Sequence, residues 1–490
     1  MKDQEIELKL QLVNEDNSAF ILDDDLFAAG KFWGTPVIHE FETTYYDTQD
    51  YRLMQAQCTY RIRRSGGSYI ATVKDSGSSL GGLHVRNEWN VQLDQNLPDL
   101  LPFLNLPIGP KLSSLVGDDD LIPIFQTNFQ RQVLDLTMKD GSLIELAIDR
   151  GSIVSGEKKA SLAEVELELK KGQIVSLLEL GSLLAQKTPM LLEEKSKYLR
   201  GLILADLPLH KELPTGFSWD DNKDLSHNLQ ELLLFSLQEI IKKQAIFLEA
   251  PADPETTHQL CAETLRLRAL LSFLKPFYSR KDEIKIQERL KIVAEKFRYL
   301  REIDVMSESW YKFIQTRPNL FSSKSTLQRI LQEEREKRQH TLTREISSGI
   351  TTPLLLEVWA GLMKISFKNI TDQDLQQHFQ SLLLKRNNLS KRTNYQDLAQ
   401  VHALRIQGKK LCYVLQTLGP VLREKDRALF DALKTIEDKV NQICAAQSNM
   451  EILRDLNEKY PSDTLAYESG VFSGWQQKRI CDDGNPCSDI

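Results

Sequence analysis

The sequence predicts an α+β protein of more than one domain: an antiparallel β-sheet or closed barrel over residues 1–205, followed by an all-helical bundle. Three observations predict it. A chain of 490 residues exceeds the size at which one hydrophobic core stops growing. Up to residue 205, apolar and polar residues alternate with period two in short runs separated by turn residues. Beyond LILADLPLHKELPTGFSWDD, which carries Pro208, Pro214 and Gly216, the apolar period becomes helical. The resulting division is a β domain at 1–205, a linker at 206–221, a helical domain at 222–470, and a polar, disordered tail at 471–490 ending CDDGNPCSDI.

Strands are expected at 4–12, 41–48, 58–64, 68–74, 83–93, 129–138, 142–149 and 162–170. Turn residues such as SGGS (65–68), GSSLGG (77–82), KDG (139–141) and SGEKK (155–159) separate several of them. A helix follows at 173–187. Past the linker, helical periodicity is clearest at 229–248, 261–274, 326–346 and 397–418. THQL (257–260) and VHAL (401–404) each open a basic helix, the mark of an internal duplication.

Residues 1–205 hold 21 Lys/Arg against 30 Asp/Glu, a balance of −9, and the remainder 41 against 39, a balance of +2. That distribution argues against a generic nucleic-acid binder, though it leaves room for local basic patches. The six cysteines form no C-x-x-C pair and read as reduced thiols without a structural metal. The opening MKDQEIELK has no apolar signal core, and no apolar run approaches the ~20 residues that span a bilayer. The expectation is a cytoplasmic protein with neither nucleic-acid nor membrane partners.

The strands sort their charges by face. In DQEIELKLQL, Glu5, Glu7 and Lys9 oppose Ile6, Leu8 and Leu10; in YRIRR, Arg61 and Arg63 oppose Tyr60 and Ile62. Lys74 opposes Val73, and Arg86 and Glu88 oppose Val85 and Trp89. Glu145 and Asp149 oppose Ile144 and Ile148, while Glu164, Glu166 and Glu168 oppose Val165, Leu167 and Leu169. One reading is an ordinary solvated face over an apolar core. The other is a barrel that is polar inside, its apolar outside covered by helices. Charges enclosed in that way need a compensating ligand. Arg and Lys on one wall and carboxylates on another suit a phosphate chain carrying Mg2+ or Mn2+.

EIELK (5–9) resembles the E-x-E-x-K signature of the CYTH superfamily, the triphosphate tunnel metalloenzymes. In the same order TTYYDT (43–48), YRIRR (60–64), ATVK (71–74), VRNEW (85–89), TNFQRQ (127–132), AIDRGSI (147–153), AEVELELKKG (163–172) and EKSKYLRG (194–201) resemble further motifs of that family. The resemblance implies an eight-stranded antiparallel β tunnel that binds triphosphates with divalent metal. It implies that Glu5, Glu7, Glu164, Glu166 and Glu168 face the metal and that Lys9, Arg61, Arg63, Lys74, Arg86 and Arg131 grip the phosphates. Glu88, Asp149, Lys195 and Lys197 would complete the lumen, with Arg200 structural.

HQLCAETLRLRALL (258–271), FRYLREIDV (297–305) and HALRIQGKKLCYVL (402–415) resemble segments of the CHAD domain, a helical module associated with inorganic polyphosphate. Cys261 and Cys412 stand where arginine is usual. The remaining candidates for polyphosphate are His258, Arg266, Arg268, Arg301, His402, Arg405, Lys409 and Lys410.

Together these resemblances imply Mg2+- or Mn2+-dependent hydrolysis of inorganic triphosphate to pyrophosphate and phosphate. A metal would bridge phosphate oxygens, and a second metal or a glutamate would polarise water. Thiamine triphosphatase, class IV adenylyl cyclase and a non-catalytic polyphosphate-binding protein are the alternatives. Several conspicuous residues have plainer readings. His258 and His402 equally suit packing, GSSLGG suits a flexible hairpin tip, and Asp118 to Asp120 suit an exposed loop. Tyr45 and Tyr46 suit either the tunnel mouth or the core.

Overall fold

The computed structural model describes residues 4–14, 30–208, 216–278, 283–317, 325–422 and 427–482. They divide into two compact units, Met1–Gly216 with Ile346–Ala360, and Phe217–Glu345 with Gly361–Ile490.

The first unit is a closed antiparallel barrel. Its strands are β1 (Gln4–Leu12), β2 (Gly30–Asp47), β3 (Cys58–Ser65), β4 (Ser68–Leu80), β5 (Leu83–Leu93), β6 (Ile122–Met138), β7 (Leu143–Ser155) and β8 (Lys158–Lys171). The order β5-β4-β3-β2-β6-β7-β8-β1 closes through pairing of β1 with β5, and a short β9 (Met190–Leu192) pairs with the end of β1. Closure leaves no free edge on the eight long strands.

Register decides which side chains share the interior, because directly paired residues point to one face. Glu7 pairs with Glu168, Lys9 with Glu166, Arg131 with Asp149, Asp149 with Glu164, and Lys74 with Glu88. The charged face is the inside. The alternating apolar residues point outward and are nonetheless buried: Leu8, Leu10, Tyr60, Ala71, Val73 and Leu167 have no exposed surface.

A coat of helices buries them. Tyr60, Ile62, Val73 and Trp89 pack with Leu53 of α1 (Arg52–Gln55), Phe103, and Leu112 and Val116 of α2 (Gly109–Val116). On the opposite wall lies α3 (Ile174–Lys187). A Cβ on its Gly181 would meet Leu8, Leu167 and Leu356, so glycine permits the close approach. Leu356 belongs to the segment 346–360, which joins this unit although it follows far along the chain. Ser182 Oγ donates to the carbonyl of Pro353 at 3.2 Å, and Gln186 Nε2 to Glu357 at 2.9 Å. The helical region therefore does not form one uninterrupted unit. Finally, α4 (Lys197–Leu204) brings Leu202 against Tyr45, Phe125 and Ile153, closing one end with an apolar plug.

The second unit is helical: α5 (Leu225–Glu249), α6 (Pro254–Leu274), α7 (Glu283–Gln315), α8 (Thr326–Ser347, in part), α10 (Asp372–Arg392), α11 (Leu398–Leu422), α12 (Arg427–Lys459) and α13 (Asp463–Asp482), with α9 (Thr352–Met363) carrying most of the segment assigned to the barrel unit. Thr371 caps α10 in a reciprocal capping box with Asp374. Arg386 of α10 and Glu437 of α12 form a buried pair at 2.8 Å.

Two expectations are corrected. Residues 471–482 are not tail but the latter part of α13, with Phe472 fully buried among Trp310, Phe313 and Leu465; the three-residue spacing of Phe472 and Trp475 is the helical signal in this stretch. Residues 483–490 of that tail, and 209–215 of the expected linker, lie outside the described residues. GSSLGG is also mostly strand: Ser78 and Ser79 pair with Val85 and His84 after a bulge between Asp75 and Gly77, and the turn is confined to Gly81 and Gly82, both at positive φ.

If the apolar face of β1 is what holds the barrel, Leu8→Ala is expected to lower stability by about 2–5 kcal/mol, measured by urea denaturation of the full chain. Unchanged stability would mean that Leu8 is not packed as described.

Candidate active site

The lumen is a cavity of about 240 Å³. Of the residues singled out in the sequence, Glu5, Glu7, Lys9, Arg61, Arg63, Lys74, Arg86, Glu88, Arg131, Glu166, Glu168 and Lys197 line it. Asp149 and Glu164 are fully buried just behind this wall, in contact with lining cations. Glu164 thus does not face the cavity as expected, because three cations already surround it. Lys195 is exposed outside the lining. The chain turns into α4 at Ser196, so strand alternation no longer governs where that side chain goes. Arg200 donates to Glu164 at 3.2 Å and to the carbonyl of Ser161 at 2.6 Å, the supporting role expected of it.

Tyr45, Thr59, Glu145, Lys170, Ser196 and Tyr198 also line the cavity. Glu145 lies on the charged face its strand alternation already marks; Thr59 and Lys170 share strand and parity with Arg61 and Glu168, so extending each alternation by two residues finds them. Ser196 and Tyr198 enter from the helix, for which alternation carries no signal.

Most lumen cations have carboxylate partners. Lys74 bridges Glu5 and Glu88, the latter at 2.6 Å. Lys170 pairs with Glu168 at 2.7 Å and Glu145 at 3.2 Å. Lys9 lies 2.8 Å from Glu166 and 3.4 Å from Glu7. Arg131 grips both oxygens of Asp149 at 2.6 Å and also reaches Glu166. Among the described residues, Arg61, Arg63 and Arg86 have no such partner. Arg61 is 3.5 Å from the Tyr45 hydroxyl, Arg63 lies 4.5 Å from the centre of the Phe41 ring, and Arg86 donates to His84 Nδ1 at 3.2 Å. The Nε atoms of Arg61 and Arg63 are buried without a hydrogen-bond acceptor, an arrangement that favours an incoming anion.

The electrostatics follow from this pairing. Burial, with the adjacent Arg61 and Arg131, brings the Arg63 guanidinium down to about 9. Burial raises the Glu5 carboxyl to about 7 despite Lys74. Burial opposes ionisation of Glu7 as well, yet Lys9 outweighs it and the group falls to about 2. His84, buried beside Lys9, drops to about 3 and is neutral. A neutral ring can accept at Nδ1 from Arg86 while Nε2 faces the carbonyl of Glu193 at 3.3 Å.

In the helical unit the basic candidates fall into two cavities. His258 and Arg301 line one of about 580 Å³ together with Asp304, Glu308 and Arg335. Arg268, Arg405, Lys409 and Lys410 line another of about 570 Å³ with Lys275 and Tyr413, and no carboxylate is among its lining residues. Lys409 is lowered by burial, then by Arg405 and Arg301, and Lys410 by burial and Arg268. Arg266 instead pairs with Glu263 at 2.6 Å, and His402 is exposed; neither lines a cavity described here.

The closed barrel with a charged lumen and the separate helical unit define a two-domain architecture that comparison with known proteins names. A family model for the CYTH domain matches residues 3–202, and one for the CHAD domain matches residues 233–454. The chain carries a CYTH domain followed by a CHAD domain. It is similar to an inorganic triphosphatase of Haemophilus influenzae, 32% identical over 168 residues, a match covering 33% of this chain and 45% of that relative. The match thus spans less than half of the relative's length. Among solved structures, the CHAD domain of the plant Ricinus communis is 20% identical, covers 56% of this chain and 94% of its own, and has a TM-score of 0.46. The Hippeastrum protein HpAC1, described as having a dominant triphosphatase activity, is 18% identical, covers 42% and 98%, and has a TM-score of 0.30.

The raised Glu5 sets a pH dependence. Its folded-state value of about 7 lies above the ordinary 4.5, so below about 7 the folded protein keeps a proton there that a divalent ion would have to displace. Glu7, at about 2, adds no pH dependence near neutrality. Mn2+ affinity is therefore expected to rise between about pH 6 and pH 8, with proton release at the lower value only. Calorimetry in buffers of different ionisation enthalpy checks this, and a flat profile would exclude Glu5 from the ion's surroundings.

Proposed function

We propose that the barrel hydrolyses inorganic triphosphate to pyrophosphate and phosphate with the help of Mg2+ or Mn2+. The observation that carries this reading is the asymmetry of the lumen: Arg61, Arg63 and Arg86 lack carboxylate partners, while carboxylates elsewhere outnumber the ammonium groups that contact them. Lys74 and Lys170 contact Glu5, Glu88, Glu145 and Glu168, and Glu7 touches only the shared Lys9. A triphosphate bound with a divalent ion would complement both excesses at once.

The donor set fits such an ion. Glu5, Glu7 and Glu168, with Glu88 and Glu145 nearby, offer oxygen ligands only, as Mg2+ and Mn2+ prefer. When bound, the ion would neutralise phosphate oxygens and act as a Lewis acid toward them. The chain's own residues would do the rest. Arg61, Arg63 and Arg86 would hold the phosphate oxygens and stabilise charge on the leaving pyrophosphate. His84 keeps Arg86 aimed into the lumen, and Phe41 supports Arg63 from behind. A lumen glutamate would accept the proton of the attacking water. Most of the task is positioning and charge neutralisation, since the repulsion of anionic oxygens is what keeps a phosphoanhydride inert.

The test is a screen of the full chain on tripolyphosphate, ATP and thiamine triphosphate with each metal, following phosphate, pyrophosphate and cyclic AMP. Tripolyphosphate is expected to be the preferred substrate. Arg63→Ala is expected to lower kcat/KM by about 10²–10³-fold, and Glu7→Gln to remove metal-dependent turnover. Cyclic AMP production, or no phosphate release with either metal, would overturn the reading.

For the helical domain we propose that long-chain polyphosphate occupies the acid-free cavity around Arg405, Lys409 and Lys410. Lys409→Ala is expected to weaken polyphosphate binding and to flatten its salt dependence by roughly one counterion. Identical isotherms for the variant and the parent chain, measured across a salt series, would exclude this cavity.

A further inference from the structure

At the lumen wall, Glu166 and, just behind it, Asp149 and Glu164 each present a carboxylate oxygen within 4.8 Å of the others, and all three are buried. By donor type and spacing they form a plausible divalent-cation cage. The neighbouring side chains argue otherwise. Lys197 sets its Nζ 2.6 Å from Asp149 and 2.8 Å from Glu166, and contacts Glu164 as well. An ammonium has three donors, and here there are three carboxylates to receive them. Lys9 adds contacts to Glu166 at 2.8 Å and Glu164 at 3.8 Å, Arg131 grips Asp149 and Glu166, and Arg200 reaches Glu164. Three carboxylates therefore contact four cations.

We propose that the Lys197 ammonium is the resident cation of this cluster, so that the cluster excludes a divalent ion and the tunnel takes its metal only on the side of Glu5, Glu7 and Glu168. A dication added to the cluster would leave several buried positive charges uncompensated, a heavy penalty in a poorly solvated interior. Evicting Lys197 is blocked by its anchorage. It is the first residue of α4, whose amide at Leu199 donates to Ser196 Oγ at 3.2 Å. Further along, Leu202 is locked among Tyr45, Phe125 and Ile153, and Gly201 sits so close to the Phe125 ring that a Cβ would collide with it. The helix cannot withdraw its lysine without unpacking the plug. On the other side, Glu5, Glu88, Glu145 and Glu168 share only Lys74 and Lys170, so a dication there completes the charge balance.

The inference rests on the reading of the tunnel as a divalent-ion site, and metal binding without substrate tests it separately from hydrolysis. Mn2+ is titrated into the full chain and free ion followed by its electron paramagnetic resonance signal, with folding of each variant checked by circular dichroism. Glu7→Gln is expected to weaken Mn2+ binding by at least about tenfold. Glu164→Gln is expected to bind Mn2+ like the parent chain, and Lys197→Met to take up an additional equivalent. Should Lys197→Met not fold, the comparison of Glu164→Gln with Glu7→Gln decides alone. Loss of Mn2+ in Glu164→Gln to the extent seen in Glu7→Gln would overturn the role of Lys197, as would a folded Lys197→Met with unchanged stoichiometry; either result leaves the tunnel as a metal site. No Mn2+ bound by the parent chain or any variant would overturn both.

Discussion

Charge compensation inside a closed cylinder is the constraint on which this molecule depends. Eight strands turn their charged faces inward, and an isolated buried ion would be prohibitively expensive. The register answers this pair by pair: Lys74 beside Glu88, Arg131 beside Asp149, Lys9 beside Glu166. Where a lumen cation lacks a carboxylate, as at Arg61, Arg63 and Arg86, it rests on a phenol, a phenyl ring or a neutral imidazole. Those three contacts hold the guanidinium groups in place without cancelling their charge. Burial and repulsion among neighbours then lower Arg63 to about 9, the signature of a site short of anions.

An inside-out barrel displaces the hydrophobic core to its exterior, and that has consequences for the rest of the chain. A free-standing barrel with Leu8, Tyr60 and Leu167 outward would expose a large apolar surface. The coat that covers it comes from insertions between strands (α1 and α2), from the segment after β8 (α3), and from residues 346–360 far downstream. α4 serves both faces of the problem. Its Leu202 fills the lumen end with apolar contacts, while its first residue, Lys197, delivers a positive charge to three acids.

Strand positions and lumen parity were largely legible because a period of two is rigid: once Glu5 and Glu7 are inside, Lys9 must be. The same rule also names Thr59 and Lys170. It fails where the backbone leaves the strand. Lys195 and Lys197 are two residues apart, yet the turn at Ser196 sends one to solvent and the other into the cluster. Burial depth was not legible either, since Glu164 and Glu168 share parity but differ in how many cations surround them. In β2, the bulge between Trp33 and Val37 breaks the alternation that would have marked the strand's first half. In the helical half the expected all-helical region holds, and what long charged stretches obscure is the extent of single helices such as α7 and α12, while the polar end of α13 reads as a tail.

The two domains solve different problems with similar cations. In the helical cavity around Arg405, Lys409 and Lys410, burial and then neighbouring cations lower the two lysines, with no carboxylate among the lining residues. Such a site can attract an anion, but among its lining residues it has no carboxylate to hold a divalent ion or to take a proton from water. The barrel lumen sets carboxylates opposite its arginines. That pairing is costly to bury, and a binding site alone would not require it. In the functions proposed above, the difference between chemistry in the barrel and binding in the helical domain lies in where the acids are rather than in how many bases there are.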